Sequence, residues 1–214
     1  MGATWDEELI RQVGEALGEE YHAYGINAIL GPAINIKRHP LCGRNFEYFS
    51  EDPYLSGKLG SAYVKGVQEK GVSACPKHYA ANNQENGRYH VSSEVDERTL
   101  REIYYKPFEM VVKEAKPWSI MCAYNRLNGV YASEHKQLLN DILREEWGFD
   151  GIIISDWGSV KNRAYSLLAS IEMCMPYQEE AYGQLEEAYN SGLINDEIID
   201  EALMHLFKFY ERTK

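Results

Sequence analysis

Asp156 stands behind Ile152-Ile153-Ile154 and a serine and is followed at once by Trp157. A carboxylate at the tip of an apolar segment can act as a nucleophile or a base. A lone Asp in that position is more often an ordinary helix cap. Three other apolar segments also run into polar residues: Lys37-Arg38, Lys77-His78 and Tyr124-Asn125-Arg126. Lys77 is the one lysine that a Schiff-base enzyme could place within a strand, so an aldolase-type reading rests on it alone. Lys77 and His78 are neighbours, and on a regular strand neighbours face opposite ways. If both serve one site, the backbone between them must be irregular, with a cis bond as one solution.

The elements that would position these groups alternate. Capping residues and apolar periodicity predict helices over residues 4–24, 52–70, 96–116, 133–148, 159–170, 179–191 and 196–212, opened by Thr4, Asp52-Pro53, Asp96, Ser133 and Asn195 among others. Between them, residues 26–36, 71–76, 119–124, 151–155 and 171–175 read as strands. Their apolar runs suit a parallel sheet covered on both faces. About five strands alternating with helices make an α/β fold, either a doubly wound sheet or a barrel. Polar clusters at four of the five strand ends favour the (β/α)8 barrel, whose site is built on one face. Five strands are too few for eight, so residues 1–214 read as one incomplete TIM-like barrel domain.

Composition narrows the chemistry. The 214 residues carry 33 Asp+Glu against 22 Lys+Arg, a formal charge of −11, which disfavours nucleic acid and anionic membrane surfaces as partners. No apolar run is long enough to cross a bilayer, and the first residues lack the pattern of a signal peptide, which points to the cytoplasm. Cys42, Cys75, Cys122 and Cys174 form no CxxC pair, so neither a zinc site nor a disulfide framework is expected. No metal or other cofactor is called for.

The stretches Gly31-Pro32-Ala33-Ile34-Asn35-Ile36, Gly43-Arg44-Asn45-Phe46-Glu47, Ser50-Glu51-Asp52-Pro53, Pro76-Lys77-His78-Tyr79, Met121-Cys122-Ala123-Tyr124-Asn125 and Ser155-Asp156-Trp157 occur in the order and spacing of a known family. Between about Trp5 and Met175 the chain resembles glycoside hydrolase family 3, on its β-glucosidase side. The resemblance implies that Asp156 is the nucleophile of a retaining hydrolysis. It further implies that Trp157 stacks on the sugar, that Arg44, Lys77 and His78 are donors that grip its hydroxyls, and that Tyr124 lies beside the nucleophile. Glu47, Asn82, Asn83, Glu85 and Arg98 match positions read as supporting groups. The expected substrate is a small oligosaccharide or β-glucoside. Cations near Asp156 suit the role, since they favour its ionised form while donating to hydroxyls.

Three departures qualify the likeness. The family's first strands, with an acidic residue that holds the outer sugar hydroxyls, are not represented. The general acid/base glutamate of this branch usually lies in a following domain, and no glutamate here matches it. The strand after the nucleophile usually ends Gly-Leu-Asp-Leu-Glu-Met-Pro, whereas here Ser170 to Pro176 read Ser-Ile-Glu-Met-Cys-Met-Pro. The expectation is therefore a β-glucosidase-like hydrolase, weak or inactive alone, completed by a companion domain or by self-association. The alternative is a carbohydrate-binding or structural remnant that turns nothing over.

Overall fold

The structure is a computed structural model that describes residues 1–214. Helix α1 (Glu7–Ala23) opens where the Asp6 carboxylate accepts the Leu9 amide at 3.0 Å. Thr4, which also suits a cap, lies instead in a short 3-10 turn, Gly2–Thr4. Two capping side chains stood close together, and only the nearer one reaches the helix. Strand β1 (Ala28–Ile29) leads to α2 (Pro53–Gln68), capped by Asp52 with proline in its first turn. Strand β2 (Ser73–Ala74) follows.

Asp96 caps α3 (Glu97–Thr99), which passes through a wider turn, Leu100–Tyr104, into α4 (Lys106–Ala115). Strand β4 (Ser119–Met121) precedes a wide-turn helix, Gln137–Glu146, and β7 (Ile152–Ile154) precedes α5 (Arg163–Leu168). Ser133 caps nothing; its hydroxyl donates to the Ser159 carbonyl. The chain continues through α6 (Glu179–Asn190) to α7 (Asp196–Arg212), capped by Asn195 as its sequence implies.

The strands are parallel and neighbour one another in chain order. β1 pairs with β2, and β4 pairs with β7 in the register Ile120 to Ile153. The Tyr79 amide donates to the Met121 carbonyl at 2.8 Å and the Met121 amide to the Pro76 carbonyl at 3.0 Å, joining the two pairs. A bridge from Ile154 to Met173 adds the fifth segment. Winding always to the same side is barrel order, so the structure is part of a TIM-like barrel and not a doubly wound sheet.

Alternation along the strands sorts the core. Ala74, Ile120 and Ile153 pack outward among the helices. Cys75, Met121, Ile152 and Ile154 face inward and meet Leu206 and Phe209 of α7. That helix lies against the inner side of the sheet.

A second, smaller sheet went unread in the sequence. β5 (Arg126–Leu127) and β6 (Val130–Tyr131) form a hairpin, and β3 (Ser92–Ser93) pairs parallel with β5. Its turn is Asn128-Gly129, both at positive φ (48° and 89°), the pair that a two-residue hairpin prefers. The Asn128 side chain also bonds both the amide and the carbonyl of Val95.

Glycine lets α1 and α2 meet. A Cβ on Gly66 would lie 2.1 Å from the Arg11 carbonyl oxygen, inside the α1 backbone. Alanine is worth about 1 kcal/mol more than glycine to a helix interior. A backbone clash cannot be relieved by a side-chain rotation, so the clash dominates, and Gly66→Ala is expected to lose about 1–3 kcal/mol in a urea titration. The outer side of α7 is apolar too. Leu203, Met204, Phe207 and Tyr210 are exposed, Phe207 by 60%, and β1 pairs on one edge only. Sedimentation at rising concentration is therefore expected to show self-association, weakened in Phe207→Lys.

Candidate active site

Five of the six candidate side chains gather at the C-terminal ends of the strands. β7 delivers Asp156, which is 8% exposed. Ser155 anchors this turn by accepting the Met175 amide at 2.7 Å. One oxygen of Asp156, Oδ1, accepts the Trp157 amide at 2.8 Å; the other, Oδ2, is buried with no protein group donating to it. His78 Nε2 is 3.6 Å from that Oδ2. Tyr124, beyond β4, donates its hydroxyl to the Trp157 carbonyl at 2.8 Å. The Trp157 side chain is 62% exposed at the rim.

Lys77 and His78 both lie in this region, and the bond between them is cis. Lys77 Nζ lies 3.5 Å from Glu47 Oε2, while the guanidinium of Arg44 bonds Oε1 of the same carboxylate. Glu47 thus holds two cations in place. Asn83 bonds the Ile36 carbonyl, and Asn82 accepts from the Tyr48 hydroxyl through its own carbonyl, so both brace the loops behind the site. Arg98 does not belong here. It is exposed and paired with Glu102 on the surface, where two charged residues one helical turn apart find each other.

Arg88 was missed. It pairs with Glu85 at 2.6 Å, lies over the Tyr124 ring at 4.4 Å from the centroid, and contributes positive charge at Asp156 and His78. Its loop has no regular structure from which a position can be read. What fixes that loop is the small sheet, through the Arg126 amide to Val91 and the Gly129 amide to Ser92. The Asn-Gly turn was the available signal.

Burial dominates the electrostatics. Desolvation pushes the Asp156 carboxyl above its ordinary range, and the Trp157 amide, Arg44 and Arg88 pull part of that shift back. Burial first, then Arg44, Lys77 and Arg88, hold the His78 imidazole well below its usual value, so it is neutral at pH 7. Burial and the nearby Asp156 charge raise the Tyr124 phenol. Glu172 stays out of the site, bonding Arg144 at 2.6 Å, His205 at 2.8 Å and the Ile153 amide at 2.7 Å. Its longer side chain ties α7 to the sheet.

The description "Glycosyl hydrolase family 3 N terminal domain" matches residues 1–209. The chain belongs to glycosyl hydrolase family 3. It is 51% identical over 209 residues to thermostable beta-glucosidase B of Acetivibrio thermocellus, covering 97% of this chain and 28% of that protein. An exo-alpha-(1->6)-L-arabinopyranosidase of Bifidobacterium longum is 47% identical, covering all of this chain and 28% of its own length. Among solved structures, beta-glucosidase 3B of Thermotoga neapolitana in complex with alpha-D-glucose superposes with a TM-score of 0.96 at 46% identity. That match covers 99% of this chain and 31% of the other. The chain therefore spans less than a third of the length of these family 3 relatives.

The raised carboxyl has a consequence for stability. Folded Asp156 holds its proton to higher pH than the unfolded residue, for which the pKa is about 3.9. Its ionisation then subtracts stability progressively as pH rises from that value through the folded one. Asp156→Asn removes the charge, so the variant is expected to melt higher than wild type at pH 7. The difference should shrink as pH falls into the carboxylate range. Equal melting at pH 7 would mean that the cations fully offset the burial.

Proposed function

We propose that this chain supplies the nucleophile and most of the sugar grip of a retaining β-glycosidase of the β-glucosidase type, with Asp156 forming a glycosyl-aspartate. The observation that carries the reading is Asp156 Oδ2, a buried carboxylate oxygen with no donor of its own, with His78 Nε2 3.6 Å away and the charges of Arg44 and Arg88 acting on the carboxylate. An oxygen so placed is free to attack. As it bonds to the anomeric carbon, the bond to the departing oxygen breaks and the electron pair leaves with that oxygen. Water later displaces the aspartate with net retention. Arg44, Lys77 and Arg88 suit hydroxyls of a neutral sugar, because Glu47 and Glu85 already balance part of their charge. Trp157 offers an aromatic face for the C–H side of a ring. The substrate class, a small oligosaccharide or β-glucoside, fits this arrangement and accords with the glucose held by the Thermotoga enzyme.

The departing oxygen also needs a proton. A retaining pair sets its second carboxyl about 5–5.5 Å from the first. Glu47 and Glu85, the acidic residues associated with this cluster besides Asp156, are engaged by Arg44 and Lys77 and by Arg88. Neither suits a general acid, so in this reading the acid comes from outside these residues, in a companion domain. General acid assistance is worth about 10²–10⁴-fold. The 214-residue chain is therefore expected to leave cellobiose essentially uncut. Any turnover should favour nitrophenyl glucoside, whose leaving group departs without a proton.

A 2-deoxy-2-fluoro glucoside with an activated leaving group should label Asp156, seen as an added mass on its peptide, and should label nothing in Asp156→Asn. Sugar binding without labelling would favour a non-catalytic carbohydrate-binding module. Efficient cellobiose cleavage by the pure chain would place the acid within it.

A further inference from the structure

Asn35 lies behind the site, 2% exposed, on the segment that follows β1. Its side-chain Nδ2 donates to the His78 carbonyl at 2.9 Å, and its Oδ1 accepts the His78 backbone amide at 2.8 Å. A flipped amide would set donor against donor and acceptor against acceptor. The backbone of His78 thus decides which end of Asn35 is oxygen. The same Oδ1 lies 3.2 Å from His78 Nδ1. An amide oxygen has two lone pairs and no proton, so Nδ1 must carry the hydrogen of that contact.

We infer that Asn35 is a positioning residue that fixes His78 as the Nδ1–H tautomer, so that Nε2 enters the site as a hydrogen-bond acceptor selecting a substrate hydroxyl that donates. The inference rests on the sugar-binding reading for its substrate and on geometry for its tautomer. Protonating Nε2 as well is opposed by the burial of the ring and by the three surrounding cations. Nε2 then faces Asp156 Oδ2 at 3.6 Å, and Oδ2 has no protein donor either. Two acceptors facing each other repel, and a group with a hydrogen to give relieves them. In retaining hydrolysis hydrogen bonds to the sugar's 2-hydroxyl strengthen in the transition state. The paired acceptors suit that hydroxyl, and an ether, a fluorine or a bare methylene at the same carbon binds less tightly because each leaves a buried acceptor unmatched, which slows an activated 2-fluoro glycoside without preventing its labelling of Asp156. The function proposed above supplies the reaction; the tautomer comes from the contacts of Asn35.

The test is nitrogen-15 NMR of the histidine side chains in the 214-residue chain at neutral pH, with His78 assigned by its loss in His78→Gln. The proton is expected on Nδ1, with Nε2 resonating as an unprotonated nitrogen. A proton on Nε2, or on both, overturns the inference. In Asn35→Ala the acceptor is gone, and the proton should move to Nε2, toward the Asp156 carboxylate; its staying on Nδ1 overturns the role of Asn35. Should that variant lose its dispersed amide spectrum, Asn35→Asp keeps an acceptor in place and should keep the proton on Nδ1, and its movement to Nε2 alone overturns the claim.

Saturating glucose should shift both the Trp157 indole resonance and His78 Nε2, whereas 2-deoxyglucose should shift the indole and leave Nε2 nearly unmoved. A shifted indole with an unmoved Nε2 under glucose overturns the inference. If neither moves, the sugar-binding reading fails while the tautomer result stands on its own.

Discussion

The Asp156 carboxylate is taken out of water at the end of β7, and an ion in that position is unfavourable unless nearby charge and hydrogen bonds compensate. Much of the surrounding structure answers that constraint. Full compensation by direct ion pairs would bind the carboxylate and spoil it for attack. The cations are instead held by other anions. Glu47 restrains Arg44 and Lys77, and Glu85 restrains Arg88, so their field reaches Asp156 while their hydrogen bonds go elsewhere. The neutral His78 belongs to the same arrangement: a protonated ring would close on the carboxylate, and burial among cations prevents it.

The parallel sheet makes this possible because it fixes where the strand ends lie. Ile120, Ile153 and Ala74 lock it against the outer helices, and Cys75, Met121, Ile152 and Ile154 lock it from inside. Loops at one face can then hold their side chains in place without being free to wander. The small hairpin sheet extends the same logic one layer outward, since it fastens a loop that the main sheet does not touch.

Much of this was legible in the sequence. Most of the strands could be read because short apolar runs between capped helices have few alternatives, and Asp52 could be read as a cap because Pro53 fixes the first helical position after it. Thr4 and Ser133 were misleading because a capping side chain declares a possibility, and the backbone path decides. Lys77, His78, Tyr124 and Asp156 stood out because each follows a strand. Arg88 and Asn35 did not. Arg88 depends on a loop positioned by tertiary contacts, and the importance of Asn35 lies in which atoms of His78 it meets, a matter of angles that residue types do not encode.

Helix α7 covers the inner face of the sheet with Leu206 and Phe209, and its far end returns to the beginning of the fold, where the Asn27 side chain donates to the Thr213 carbonyl across a separation of 186 residues. Arg212 meets Asp150 beside it at 2.7 Å. During synthesis the inner side at Cys75, just beyond β2, therefore waits uncovered until α7 has been made. A sheet whose inner lining lies so far along the chain has a folding rate governed by loop closure more than by any local propensity.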